Sequence, residues 1–500
     1  SMKPQNNSIH TAMHFCNLLK VSEVQSVRAK AGEALVKLMG QLTADESNDI
    51  AVELLRSLEI EGYQYSENIS FYLGQILTYL EPKELDELLD DLIEKMKQSN
   101  PNLKTLLLKT LGVLIDNYSK YATLYGEEKV RFEKRLKKIL GIILNSLADF
   151  SDRVVQTAFS VLGKYIFASN HLSLEGINFI FTNIAKKLLT LLGERDGKQL
   201  HFFANAAALN HIYRFISDYA LFKGDIELST PKKVAFFPGT FDPFSLGHKE
   251  IAKAIRDMGY EVYLAVDEFS WSKKTHPHLL RKNIINMSVA DELDIYLYPE
   301  VYPINLTNPE ELRMLKSHFP QSEVYFVAGS DVVLNASAYK MERSENSIHT
   351  FPHIIFERRT QNDANPEEKQ EQEQFKQIER EVIRLTLEPQ YEDISSTQIR
   401  DYVDKNKDIS SLIDPLAQKY IYENGFYQKE PQYKSIMGSI SIDFQLIRDF
   451  DKSIIEELEK FFCNNEIRLT DINQLYKRGN ERALIVRDLQ NVGEVIGLSL

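Results

Sequence analysis

Cysteine is scarce in this 500-residue chain: Cys16 and Cys463 are the only two, far apart. So few thiols exclude a disulfide framework and a cysteine-built metal centre, and they suit a reducing cytoplasm. Tryptophan occurs once, as Trp271. No apolar run reaches the roughly 20 residues that a membrane span needs. The opening SMKPQNNSIHTAMHF has no basic segment followed by an apolar one, so no secretory leader is read there. Ser1 before Met2 reads as a cloning remnant. Positive charge is not in excess either, because 59 Lys and Arg stand against 72 Asp and Glu, a net charge of −13. That balance argues against a nucleic-acid partner, though a local basic pocket remains possible. The expectation is a cytoplasmic protein with no membrane partner.

What the chain has in abundance is helical periodicity. From about residue 8 to about 222, apolar residues recur at helical spacing in VQSVRAKAGEALVKLMGQL, ISFYLGQILTYL, LKTLLLKTLGVLIDNY, VVQTAFSVLGKYIF and ANAAALNHIYRFI. Val27, Ala31 and Leu35 share a form with Ile69, Leu73 and Leu77, and with Val154, Ala158 and Leu162. Second helical segments such as LDELLDDLIEKMKQ and RFEKRLKKILGIILNSL lie between them. The pattern resembles degenerate HEAT or armadillo-type repeats, in which helix pairs stack because none buries its apolar face alone. An irregular helical bundle is the alternative. No catalytic constellation occurs here, and the region suits presentation of a surface to a protein partner or to the next domain.

The pattern changes at LSTPKKVAFFPGT. Ser229, Thr230 and Pro231 mark a linker, and VAFF reads as a short buried strand. Helices expected at Lys249–Met258, Arg281–Ala290 and Pro309–His318 then alternate with strands in YEVYLAVD, LDIYLYP, SEVYFVAG and HIIFERR. Such alternation argues for a parallel sheet covered on both faces. In the charged stretch that follows, Phe375, Ile378, Val382 and Leu385 have helical spacing and suggest a solvated helix or loop.

The stretch FPGTFDPFSLGHK, residues 237–249, carries the first chemistry. It sits between a strand and a helix, where parallel sheets bind ligands. Gly239 permits close approach of backbone to a phosphate. Gly247 and His248 open a helix whose dipole favours an anion. His248 can place a ring N–H on a phosphate oxygen, and Ser245 brings a hydroxyl to the same region. Far downstream, ISSTQIR, residues 394–400, offers Ser395 and Ser396 to cap a helix and Arg400 as a planar fork for phosphate oxygens.

GTFDPFSLGH resembles the motif G-x-F-D-P-x-[HT]-x-G-H of the HIGH-type nucleotidyltransferases, and ISSTQIR resembles their ISSTxxR signature. Over about residues 232 to 428 the chain is most similar to bacterial nicotinate-mononucleotide adenylyltransferases. The resemblance implies that Gly239, Thr240, Phe241, Asp242, Gly247, Ser395, Ser396 and Thr397 bind nucleotide, and that His248, Arg400 and Ser245 serve the transition state and the triphosphate. It implies a ribose contact for Asp331 after Gly329 in YFVAGSD, where a carboxylate suits two hydroxyls; capping of the next helix is the lesser alternative. It also implies that Lys273, Lys274 and Arg281 bring positive charge to the triphosphate. Three positions depart from the family pattern. Ser245 replaces the first histidine, Pro238 replaces a common glycine, and ASAYK stands where a tryptophan is usual. Tyr339 or Trp271 are the candidates to stack on a nicotinate ring.

The reaction so implied is in-line attack of a phosphate monoester on the α-phosphorus of ATP or CTP, with Mg2+ carried by substrate phosphates and water. A scaffold whose helical repeats bind a protein and whose α/β part only senses nucleotide is the rival. The last segment, ISIDFQLIRDFDKSIIEELEKFF and ALIVRDLQNVGEVIGLSL, reads as strand, helix and a hairpin turning at Gln490–Asn491. It resembles the first half of a GNAT-type acetyltransferase without the Gly-rich turn that would hold a coenzyme pyrophosphate, as expected of a shortened polypeptide. The expected architecture is multidomain. A solenoid-like all-α domain spans 8–225, a Rossmann-like parallel α/β domain 232–428, and an incomplete α+β segment 436–500.

Overall fold

The apolar spacing of the N-terminal region winds it into successive helices, from Ser8–Val21 to Gln199–Phe222. The computed structural model describes residues 8–60, 65–192, 199–267, 275–299, 302, 304–356, 377–392, 394–428, 442–447, 451–464, 483–488 and 494–499. The five segments with a shared apolar form become the helices Gln25–Met39, Ser66–Ile76, Pro101–Tyr118, Asp152–Val161 and Gln199–Phe222, each packed on the next. Pro82–Gln98, Lys129–Leu147 and Leu174–Leu192 pack in sequence beside them. Local chemistry sets their starts. Asn100 caps the amide of Leu103 at 2.9 Å with Pro101 in the first turn, and Thr43 with Glu46 forms a reciprocal capping box. Among the described residues no helix is long and apolar enough to cross a membrane.

Two compact units divide the chain, Ser1–Asn424 and Gly425–Leu500. The first holds the helices together with a six-stranded sheet: β1 (Lys233–Gly239), β2 (Glu261–Val266), β3 (Ile295–Leu297), β4 (Glu323–Gly329), β5 (His353–Phe356) and β6 (Val382–Leu385). The order is β3-β2-β1-β4-β5-β6 and every pairing is parallel, the Rossmann-like arrangement. Val234, Ala235, Phe236 and Phe237 are all buried, so both faces of β1 are covered. Pro238 does not disturb the strand, whose register on β2 runs through Pro238↔Ala265 to Gly239↔Val266.

Two expectations are corrected. Val382–Leu385 forms the strand β6 rather than the end of a helix, because a buried edge beside β5 was available to an apolar pair that also fits helical spacing. The helices around the site begin earlier than expected, at Leu246, where the Ser245 side chain caps the helix, and at His278, where the Pro277 carbonyl accepts from the Arg281 amide at 3.3 Å.

The helices hold the sheet at its β3 side. Lys186 pairs with Glu261 at 2.7 Å. Lys187 is fully buried, donates to the Val289 carbonyl at 2.7 Å and also bonds the Ile295 carbonyl. Asn145 donates to the Met287 carbonyl at 3.3 Å. Three side chains of the helical region thus grip the end of the helix His278–Val289 and its neighbouring strands.

The second unit pairs β7 (Ile442–Ile447), β8 (Ala483–Asp488) and β9 (Glu494–Ser499) antiparallel, with the helix Lys452–Asn464. Ile447, Leu458, Ile485 and Val495 form its small core. The expected turn at Gln490–Asn491 lies outside the described residues.

Candidate active site

A cavity of about 640 Å³ opens at the carboxyl ends of the strands, where the order reverses between β1 and β4. One wall is built from the two motifs, which lie far apart in sequence. His248 lines it from the first, and Ser395, Ser396, Thr397 and Arg400 line it from the second.

His248 occupies the first turn of the helix Leu246–Asp257 and is 7% exposed. Three phenylalanines enclose its ring: Phe241 edge-on at 5.2 Å, Phe244 stacked at 5.4 Å and Phe237 at 6.4 Å between centroids. The Ser245 amide donates to His248 Nδ1 at 3.1 Å. Nδ1 therefore carries the lone pair and Nε2 the proton, which is the tautomer able to donate to an anion. The Ser245 hydroxyl also lies 2.9 Å from Nδ1 and accepts from the His248 amide at 3.3 Å.

Ser245 is thus buried and does not line the cavity. Its hydroxyl is committed to His248, so it orients the imidazole instead of reaching the triphosphate as expected. Gly247 does not line the cavity either; its bare α-carbon admits the Tyr391 carbonyl and Ile394. The helix start is further occupied by the Leu246 amide, which donates to the Leu412 carbonyl at 2.9 Å.

The second motif is bolted onto the first. Ser395 caps the helix Ser396–Asp404 by accepting from the Gln398 amide at 3.1 Å. The Ser396 hydroxyl donates to the Pro243 carbonyl at 2.8 Å. Arg400 donates to the Asp242 carbonyl and, at 3.1 Å, to the Thr397 hydroxyl. These bonds fix the guanidinium on the same cavity as the imidazole, and the amides of Ser396 and Thr397 stand in the first helical turn, where no intrahelical acceptor exists.

Gly239, Thr240, Phe241 and Asp242 all line the cavity. Phe241 has a φ of 46°, and a methyl group at Gly239 would sit 2.7 Å from its ring. The glycine makes room for the ring that encloses His248, a local reason for its place in the motif. The Asp242 carboxylate accepts from the His276 amide at 3.2 Å. Gly329 and Asp331 also line the cavity, and a methyl at Gly329 would meet Asp331 Oδ1 at 2.4 Å, so the bare α-carbon leaves room for this carboxylate.

Arg281 is a correction. It is 4% exposed and donates to backbone carbonyls: His276 at 3.1 Å, Thr240 at 2.7 Å and Asp267 at 3.3 Å. It staples the loops around the site and does not line the cavity. Lys282 and His278 line it instead. These two are four apart and share a helix face, and that spacing was the available signal. Lys273, Lys274 and Trp271 lie outside the described residues. Tyr339, Tyr298, Tyr302, Phe326 and Leu306 also line the cavity, and of these only Tyr339 was anticipated.

Behind His248, Lys249 points away from the cavity into a charged cluster. Its ammonium lies 3.3 Å from Asp414, 3.5 Å from Asp291 and 3.9 Å from Glu292. Burial alone would lower its pKa, but these carboxylates outweigh it and hold the lysine above its ordinary value.

Residues 236–402 match the cytidylyltransferase-like family model. Among curated relatives, a probable nicotinate-nucleotide adenylyltransferase of Clostridium tetani is 26% identical over 217 residues, covering 39% of this chain and all of the relative. One from Clostridium perfringens is 27% identical over 213 residues, covering 40% of this chain and all of the relative. Among solved structures, nicotinic acid mononucleotide adenylyltransferase of Plasmodium falciparum complexed with NaAD is 21% identical, with a TM-score of 0.32, covering 39% of this chain and 97% of that one. Residues 236–402 therefore carry a cytidylyltransferase-like domain, within a chain more than twice as long as these relatives.

Proposed function

We propose that the α/β domain transfers the adenylyl group of ATP to a phosphate monoester, with nicotinate mononucleotide as the leading acceptor, and releases pyrophosphate. The observation that carries this reading is the convergence of His248 and Arg400, 152 positions apart, on one cavity at the strand-order reversal. The similarity to nicotinate-nucleotide adenylyltransferases supports the acceptor.

An oxygen of the acceptor phosphate attacks the α-phosphorus in line. The bond to the bridging oxygen breaks, and pyrophosphate leaves with the electron pair. The nucleophile is already anionic, so the site needs donors more than a base. Nε2–H of His248 meets the charge that develops on the phosphate oxygens. Arg400 and the first-turn amides of Ser396 and Thr397 hold the triphosphate, Lys282 adds charge, and Asp331 accepts from ribose hydroxyls. Among the described residues no group of three His, Cys, Asp or Glu side chains could hold a metal ion. Mg2+ fits this site as a companion of the triphosphate, neutralising phosphate charge through phosphate oxygens and water.

Pyrophosphate release from ATP and CTP against a panel of acceptor phosphates tests the reading. Release with nicotinate mononucleotide and ATP is expected. Nucleotide binding without release under any pairing would favour the sensing scaffold. Arg400→Ala should weaken ATP binding at least about tenfold, the loss of a charge-assisted hydrogen bond. Calorimetric titration with wild-type affinity would remove Arg400 from the triphosphate site.

A further inference from the structure

The turn ADELD, residues 290–294, is held from two sides. On one side stands the helical region. Lys187, on the helix Leu174–Leu192, is 1% exposed. Its side-chain nitrogen donates to the Val289 carbonyl at 2.7 Å, just before the turn, and to the Ile295 carbonyl just after it. Burial pulls its pKa down to about 7 against the nearby carboxylates, and charged or neutral it still donates to both carbonyls. Gly141, on the helix Lys129–Leu147, comes so close that a methyl group there would sit 3.2 Å from the Asp291 carbonyl oxygen. Neither residue falls within 236–402, the stretch that matches the family model, so this grip belongs to the helical region. On the other side the turn holds the helix that carries His248. Asp291 and Glu292 lie 3.5 and 3.9 Å from the Lys249 ammonium, and Glu292 also pairs with Arg256. Both cations belong to the helix Leu246–Asp257, and Lys249 directly follows His248. The turn has little slack between the two. Asp294 is held at a φ of 64°, its carbonyl accepts from the Val262 amide at 2.9 Å, and the Val289 carbonyl accepts from the Glu292 amide at 3.0 Å. A shift imposed at Lys187 or Gly141 therefore reaches Asp291 and Glu292, and through them the helix start that bears the imidazole.

We infer that Lys187 and Gly141 of the helical region are positioning residues for turnover: by holding the acidic turn 290–294 they fix the helix Leu246–Asp257, and with it the His248 imidazole. The inference rests on the proposed adenylyl transfer, in which His248 meets charge that develops in the transition state. A donor of that kind is sensitive to placement, since a misplacement of about 1 Å can cost about a hundredfold. Loosening the turn lowers kcat. Arg400 and the amides of Ser396 and Thr397 lie on another helix and hold ATP as before.

The test uses the full chain with Lys187→Met, Gly141→Ala, Asp291→Asn and the double variant Lys187→Met/Asp291→Asn. Pyrophosphate release gives kcat, calorimetry gives the Kd for ATP, and a thermal melt reports folding. Lys187→Met keeps a long side chain but removes the donor from both carbonyls. It should lower kcat about tenfold, the worth of one hydrogen bond, with the Kd for ATP within about twofold. Gly141→Ala removes no bond and pushes the Asp291 carbonyl by a few tenths of an ångström. It should lower kcat about threefold. Alanine favours a helix interior over glycine, so its melt should not fall, and a merely structural role predicts no loss of rate. This variant also serves if Lys187→Met does not fold. Asp291→Asn should lower kcat as well, and the double variant should lose less than the product of the two single losses, because both act on one turn. The His248 imidazole resonance, assigned by its loss in His248→Ala, should shift in Lys187→Met and in Gly141→Ala. Wild-type kcat in both of these, ATP affinity falling in step with kcat, or single losses that simply multiply would overturn the inference. So would an unshifted His248 resonance. A wild type that binds ATP but releases no pyrophosphate with any acceptor would instead defeat the proposed reaction, and the resonance alone then decides whether the helical region places His248.

Discussion

His248→Ala should lower turnover at least about a hundredfold, as expected when one donor to a transition state is removed. The KM for ATP should move only a few-fold, because Arg400 and the amides of the second motif hold the triphosphate in the ground state as well. The imidazole is prepared for this task before any substrate arrives. Phe237, Phe241 and Phe244 exclude other ring positions, and Ser245 sets the proton on Nε2. A donor that needs no reorganisation is worth most where water is excluded. Ser245→Ala should cost less, about tenfold in kcat, because the backbone amide of residue 245 still points at Nδ1. Pyrophosphate release on purified protein, with a thermal melt as the control for folding, measures both. A His248→Ala protein with wild-type turnover would end the mechanism proposed here.

Lys249→Ala should destabilise the unit Ser1–Asn424 by about 3–5 kcal/mol, the cost of leaving buried charges without their partner. Lys249 is 8% exposed and sits among Asp414, Asp291 and Glu292. Asp414 is itself buried, and burial lifts its pKa despite the lysine. Glu292 is opposed by burial but kept below its ordinary value by Lys249 and Arg256. The sign follows from that direction. A carboxyl depressed in the folded state contributes stability above its unfolded pKa, and the contribution fades as pH falls through the folded value. Acid unfolding of the wild type should therefore show a loss of stability below about pH 4.5, diminished in Lys249→Ala because one of the cations holding Glu292 is gone. Urea unfolding followed by circular dichroism reads the effect, and an unchanged first transition would show that the cluster contributes nothing. The cluster bears on function because Lys249 adjoins His248 and anchors the helix that presents it.

Much of the site was legible because its motifs are local. The run from Gly239 to His248 joins a strand to a helix, and the run from Ile394 to Arg400 begins another, so their chemistry follows from neighbours a few residues away. The strands β1 to β5 were legible for the same reason, as short apolar runs punctuated by helices. Failures occurred where neighbours in sequence were not neighbours in space. Val382 and Leu385 fit a helix until β5 supplies a partner strand. Arg281 and Lys282 are adjacent cations on one helix, and nothing in their order says which enters the cavity. Of the aromatic lining only Tyr339 was anticipated, because Tyr298 follows β3, Phe326 lies on β4 and Tyr339 sits between β4 and β5.

The amino-acid order by itself determined the helical region, the alternation of strand and helix, and the two short motifs at helix starts, since caps, turns and periodicity act over a few residues. Tertiary structure alone decided which side chains meet. One step along a helix turns a side chain by roughly 100°, enough to send Arg281 to backbone carbonyls and Lys282 to the cavity. The same long-range packing tied the tyrosine hydroxyls to His318 and His353, and brought Lys186 and Lys187 of the helical region onto the sheet.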